Sequence, residues 1–405
     1  IEEDRASSTQ RESGTTYGFS GSNPAADFSR HYSFYGGAWE PYVTVFRRSI
    51  TGHLGNGTDP SAGAVSSPNT VRFMTQAPKF EIYAANYLGF RVKVNGRYAK
   101  TGLYGVQALN SDGSAGSGRW WQFDFEDTEF AGDALKLVEI QGHAEFRFGG
   151  VRVPMGSTVL PWPQSVPLKV ALHGDSKVTS VSDSADYRTA PQGLMTHIVQ
   201  ALTGVSDVWA NNIGGSGFYA NQGGTRSNFI EQAAVDFSGQ KFDVVWETGG
   251  VNDAGLSPVE ADYKGRVATW IGQVLADNPD IVLIMTGPIP KGSGEDYGTS
   301  SPMALIQRAK KAAAALYPRN CAFIETIGNA TIGSDAWVFG TGKAGSTAGN
   351  GNADLVTGPD GTYPTVFGHQ YLGTRLVSAT ARVLPLLASR IRNGVTAGVN
   401  DLDLV

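Results

Sequence analysis

Gly174-Asp175-Ser176 stands where the apolar run Val170-Ala171-Leu172 gives way to a loop. A serine at such a junction lies on the carboxyl edge of a parallel strand, where open α/β sheets build their sites. Ser176 is therefore a candidate nucleophile. The same tripeptide is also ordinary loop chemistry, with Asp and Ser capping a following helix, so it needs company. Two clusters supply it: Asn212-Ile213-Gly214-Gly215-Ser216-Gly217 follows the next apolar stretch, and Gly249-Gly250-Val251-Asn252-Asp253 follows Phe242-Asp243-Val244-Val245-Trp246. Acyl transfer through a serine needs hydrogen-bond donors aimed at the oxygen that turns negative in the tetrahedral intermediate. Glycine lets a backbone N–H come close because no Cβ intervenes. On this reading Gly215 offers a backbone donor, Asn252 its side-chain amide and Ser176 its own N–H.

With these three ordered blocks the chain resembles the SGNH (GDSL) hydrolase family over roughly 168–392. The resemblance rests on Gly-Asp-Ser at 174–176, the glycine-rich block at 214–217 and Gly-x-Asn-Asp at 250–253. It implies that Ser176 is the nucleophile and that Gly215 and Asn252 complete the oxyanion hole, with Gly217 a rival to Gly215. The family's fourth block, Asp-x-x-His followed by Pro, is altered to Asp360-Gly361-Thr362-Tyr363-Pro364. A phenol titrating near ~10 is a poor base at neutral pH.

A base must then come from His31, His53, His143, His173, His197 or His369. His369 follows Asp360 by one short segment, and Thr365 reads as an N-cap that places it about one turn into the last helix. Helical side chains lean back toward the N-terminus, so His369 is the candidate base, although a helix start disfavours an imidazolium. His173 and His197 read as structural. Asp360 either orients the imidazole, as a carboxylate does in serine hydrolase triads, or serves as the turn residue of Pro359-Asp360-Gly361. Asp175 and Asp253 read as organisers of loop hydrogen bonds. Trp337 either stacks on a sugar ring or plugs its long loop, Tyr363 is a candidate substrate contact, and Arg226 reads as solvated.

The elements that must carry these residues divide in two. Residues 1–35, rich in Ser, Gly, Thr, Arg and Glu, read as a polar arm. Residues 36–160 show the alternation of antiparallel strands, as in Phe90, Val92 and Val94 running into the hairpin pair Asn95-Gly96. A jelly-roll-like sandwich fits. Prolines 161, 163 and 167 mark a linker over 161–167. In 168–395, strand-like runs at 168–173, 206–210, 242–247, 280–286 and 321–326 alternate with helical stretches at 191–203, 227–237, 257–277, 301–317 and 366–392. That is the rhythm of a parallel sheet covered on both faces, and the SGNH resemblance implies a flavodoxin-like three-layer α/β/α domain; 396–405 is a tail.

The 405 residues carry a net charge of −5, with 41% hydrophobic residues. This balance indicates no polyanion or nucleic-acid partner. The 52 glycines and 15 tyrosines suit a loop-rich protein that handles a neutral ligand such as carbohydrate. The lone cysteine, Cys321, excludes an internal disulfide and reads as buried strand. No run approaches the ~20 apolar residues of a membrane span, and the opening at Ile1 is that of a trimmed or processed chain. A sandwich ahead of an SGNH domain resembles two-domain carbohydrate acetyl esterases and, more loosely, phage tail proteins that deacetylate surface glycans. The expectation is a metal-free, cofactor-free serine esterase acting on acetylated polysaccharide outside the cell or at its surface, or else a glycan-binding relative that has lost its base or a structural component of a phage tail or cell surface.

Overall fold

The computed structural model describes residues 6–7, 14–18, 30–35, 39–42, 45–48, 69–85, 90–99, 119–125, 135–142, 146–163, 166–178, 199, 202–221, 227–290, 300–327, 336–346 and 348–393. His53, His143, His197 and Arg226 lie outside them. The described residues divide between Ser165 and Val166 into two units.

The first unit holds β1 (Ala6–Ser7), β2 (Gly14–Gly18), β3 (Ser33–Tyr35), β4 (Trp39–Tyr42), β5 (Val45–Arg48), β6 (Asn69–Thr75), β7 (Lys79–Ala85), β8 (Phe90–Val94), β9 (Arg97–Tyr98), β10 (Arg119–Asp124), β11 (Lys136–Gly142), β12 (Arg147–Pro154) and β13 (Val159–Pro161). One antiparallel sheet runs β1-β10-β7-β12-β5-β4, with β2 also on β12, and the other β13-β6-β11-β8-β9, with β3 on β6. The runs β5-β12-β7-β10 and β6-β11-β8-β9 are the two sheets of a jelly roll. The inward residues of both, among them Phe80, Phe123 and Phe148 from one and Phe73, Val92 and Ile140 from the other, form one core. Asn95 and Gly96 both take positive φ, 49° and 82°, so the expected two-residue hairpin joins β8 to β9.

The stretch read as a polar arm instead contributes β1, β2 and β3 to the sheets. These strands are too short to show a period, and their partners exist only once the sandwich is assembled. The expected linker is shorter as well. Pro161 ends β13, an edge strand, where a missing N–H is tolerated, and Pro167 falls at a register shift early in β14 (Val166–Gly174).

The second unit has a parallel sheet ordered β15-β14-β16-β17-β18, with β15 (Val205–Asn212), β16 (Val244–Glu247), β17 (Val282–Thr286) and β18 (Cys321–Ile324). Counted along this unit the order is 2-1-3-4-5, the flavodoxin-like order. The helices described end to end are α1 (Phe229–Asp236), α2 (Glu260–Asp277), α3 (Pro302–Ala314), the single turn α4 (Ala353–Val356) and α5 (Val366–Asn393). Asn228 caps α1 and Ser301 caps α3 through side-chain oxygens. Alternation along the buried strands serves both faces. Leu172 and Trp246 pack with Leu372, Leu376 and Leu387 of α5, and the Trp246 indole donates to Thr380 at 2.8 Å. His173 turns the other way, onto Phe229 of α1 and Trp270 of α2 at ring distances of 4.6 and 5.2 Å. No described helix is long and apolar enough to cross a membrane.

Candidate active site

In this strand order the direction of winding reverses between β14 and β16, and the crevice at their carboxyl ends is where such sheets bind ligands. Ser176 opens a short 3-10 helix (Ser176–Val178) directly after β14 and is 8% exposed. Gly174 lets β14 end there: a Cβ on it would sit 2.7 Å from Val178 Cγ2 and 2.9 Å from Thr248 Oγ1. Asp175 turns inward, and its Oδ1 accepts from the Lys177 N–H at 2.9 Å. Burial pushes its carboxyl above the usual range, and that same N–H and the Lys177 charge oppose the rise. The Lys177 ammonium is buried and donates to the carbonyls of Ile289 and Pro290, tying the Ser176 turn to the segment after β17.

The second block, after β15, lies against the nucleophile, since a Cβ on Gly214 would be 3.5 Å from Ser176 Cβ. Gly215 has φ 74°. Gly217 has another task. Its N–H donates to the Ala220 carbonyl at 3.1 Å, and a Cβ on it would strike Asp253 Oδ1 at 2.3 Å. Its N–H and its Cα are thus committed to the Ala220 carbonyl and to the Asp253 carboxylate.

The third block follows β16. Gly250 has φ 118°, a conformation that side chains resist, and begins the 3-10 helix Val251–Leu256 that presents Asn252. The Asn252 Nδ2 donates to the Ser216 carbonyl at 3.0 Å, which brings the amide to the second block and leaves its other hydrogen for a ligand. Asp253 is fully buried. Its Oδ1 accepts from the Tyr219 and Ala220 N–H groups, and its Oδ2 from Phe218 N–H and the Tyr263 hydroxyl. Burial, reinforced by Asp253, pushes the Tyr263 hydroxyl well above the usual phenol range. The loop-organising roles read for Asp175 and Asp253 are those the hydrogen bonds describe.

No protein-family model and no curated protein matches the chain. Solved structures do. The salicylyl-acyltransferase SsfX3 from a tetracycline biosynthetic pathway is 15% identical with a TM-score of 0.60, over 88% of this chain and 96% of that one. A family two carbohydrate esterase from Clostridium thermocellum, in complex with cellohexaose, is 16% identical with a TM-score of 0.54, over 87% and 99%. A carbohydrate esterase whose active site displays divergent catalytic and non-catalytic binding functions is 12% identical with a TM-score of 0.52, over 88% and 98%. The chain has the SGNH hydrolase fold.

On this SGNH scaffold the fourth block is the Asp360–Pro364 turn that leads into α5. Asp360 is exposed, and its Oδ1 accepts from the Thr362 and Tyr363 N–H groups at 2.7 and 2.9 Å. Of the two roles read for it, the turn role is the one these bonds describe. Tyr363 is half-buried, and its carbonyl accepts from Gly358. Thr365 caps α5 as expected, its Oγ1 accepting from Gly368 N–H. His369 lies in the first turn, fully buried, its N–H donating to the Thr365 carbonyl. His173 sits in an aromatic box with Phe229, Phe237 and Trp270, and His31 packs on Tyr17 within the sandwich.

Trp337 is 3% exposed and belongs to the core beside α5, with the Arg375 guanidinium 5.6 Å from its ring centre. Its faces are closed to a sugar, and it acts as the plug of its loop rather than a stacking platform. The sequence reading did not single out Glu247, Lys310, Lys177 or Tyr263. A signal existed for Glu247, a carboxylate ending an otherwise apolar strand. Among the described residues no group of three or more His, Cys, Asp or Glu could hold a metal ion.

Proposed function

We propose that the α/β unit is a serine esterase that removes acetyl or another short acyl group from a carbohydrate. The observation that carries this reading is the meeting of three blocks at the reversal of the sheet: Ser176 at the end of β14, Gly214 against its Cβ, and the Asn252 amide on the Ser216 carbonyl. The Ser176 hydroxyl attacks the ester carbonyl carbon while a base takes its proton. The N–H groups of Ser176 and Gly215 and the Asn252 amide hold the oxyanion. The sugar hydroxyl leaves with the proton, and water, activated by the same base, releases the acid and frees the serine. We assign the base to His369, in the first turn of α5, and give Asp360 the turn that sets the start of α5. Tyr363 is assigned to the acceptor side of the cleft. An acetylated polysaccharide at or outside the cell surface is the substrate this reading implies, and the carbohydrate esterases of the same fold support it.

The alternative, a module that holds a glycan without cleaving it, is favoured by Tyr363 in the fourth block. Acetyl-ester hydrolysis and labelling by a serine-directed phosphonate separate the two. Serine-dependent turnover in the wild type, lost in Ser176→Ala, is expected. Turnover that survives Ser176→Ala ends the esterase reading. Turnover that survives in a folded His369→Gln variant ends only the base assignment. Saturable glycan binding with no labelling would establish the alternative.

A further inference from the structure

Beneath the Gly-x-Asn-Asp turn lies a buried ion pair that the chemistry above does not use. Glu247 Oε2 and Lys310 Nζ are 2.6 Å apart, and both side chains are completely buried. Each partner also grips the chain at Gly249. Glu247 Oε1 accepts from the Gly249 N–H at 2.8 Å, and Lys310 Nζ donates to the Gly249 carbonyl at 2.8 Å. Phe229 also closes on the same residue, since a Cβ there would lie 2.3 Å from Phe229 Cζ. The pair therefore fixes the two peptide groups that flank Gly249 Cα. Little slack remains between that point and the amide donor. Gly250 turns with φ 118°, Asp253 N–H closes on the Gly250 carbonyl at 3.1 Å, and Asn252 lies between.

Fold stability alone does not call for charges here. Replacing a buried ion pair by apolar groups of similar volume is often neutral or stabilising, whereas removing one partner costs several kcal/mol. What an apolar pair cannot do is accept from one peptide and donate to the next. Glu247 ends β16 just before the Gly249–Asp253 block, so the pair lies under the turn that carries Asn252.

We propose that Glu247 and Lys310 are positioning residues: their ion pair clamps both sides of Gly249 and so sets where the Asn252 amide meets the developing oxyanion. The catalytic half of this proposal rests on the esterase reading; the clamp itself does not. The test compares wild type with the double variant E247Q/K310M, which removes both charges together and keeps an acceptor for the Gly249 N–H. The single variant K310M strands a buried carboxylate and serves only as a folding control. Hydrogen exchange is measured on the peptide spanning 248–256, with kcat and KM for an acetyl ester alongside.

The double variant is expected to melt near the wild type and to exchange at least about 10-fold faster in that peptide alone. Its kcat should fall about 10- to 100-fold with KM nearly unchanged, the signature of a donor displaced from the transition state. Unchanged exchange in 248–256 overturns the clamp, whatever the activity. Faster exchange with unchanged kcat, in a wild type whose turnover depends on Ser176, overturns its link to catalysis. A wild type with no Ser176-dependent turnover refutes the esterase reading and its catalytic half, and the clamp is then judged on exchange alone.

Discussion

Replacing Asp253 by asparagine changes one atom at the point where the second and third blocks are tied together. The carboxylate accepts four hydrogen bonds, two on each oxygen: Tyr219 and Ala220 N–H on Oδ1, Phe218 N–H and the Tyr263 hydroxyl on Oδ2. An amide nitrogen at the Oδ1 position would face two backbone donors. The amide must instead place its nitrogen at Oδ2, where the Tyr263 hydroxyl can rotate to accept and only Phe218 N–H loses its partner. A stranded buried donor costs about 1–3 kcal/mol, and the two remaining bonds each lose the extra strength of a charged acceptor. Relief from burying a charge offsets part of this. The net expectation is a loss of about 3 kcal/mol in D253N, against about 1 kcal/mol in Y263F, which removes a single donor. G217A attacks the same carboxylate sterically, its Cβ arriving 2.3 Å from Oδ1, so its cost should not add to that of D253N. Urea unfolding followed by tryptophan fluorescence measures each as a shift in midpoint at constant slope. A loss below about 1 kcal/mol in D253N would refute the view that this carboxylate organises residues 218–220.

Two more outcomes are expected. Burial works to raise the Glu139 carboxyl, but the charges of Arg72 and Lys93 outweigh it and hold it below its ordinary value of 4.5. The stability it contributes is therefore present above that value and lost as pH falls through the lower folded value. Urea midpoints of E139Q should fall less steeply with acidification than those of the wild type, and equal slopes would contradict the assignment. Asp175 and Glu247 have the opposite sign: their raised carboxyls weaken the α/β unit at neutral pH and cease to do so as acid protonates them. W337A should lose about 3–5 kcal/mol, as expected for a core aromatic, and leave the affinity for any glycan the wild type binds unchanged. A stable W337A that no longer binds glycan would restore the platform role.

Some of this protein can be read from local pattern alone. The five parallel strands and the helices α1, α2, α3 and α5 announce themselves by apolar runs and helical spacing. The Asn95-Gly96 hairpin and the Thr365 cap follow from turn and capping chemistry confined to a few neighbouring residues. The blocks around Ser176, Gly215 and Asn252 are legible for a related reason, because a sharp strand end needs glycine and small polar residues whatever surrounds it.

Other features depend on partners distant in the chain. The short strands β1, β2 and β3 become strands only beside β10, β12 and β6. Trp337 is a plug because α5 covers it, and Gly217 is committed because Asp253, far along the chain, presses on it. The Glu247–Lys310 pair joins the end of β16 to α3, and neither residue implies the other. Periodicity and turn chemistry act over a few residues and survive in the sequence as pattern. Burial and ion pairing depend on what folding brings across, so only the tertiary structure decided them.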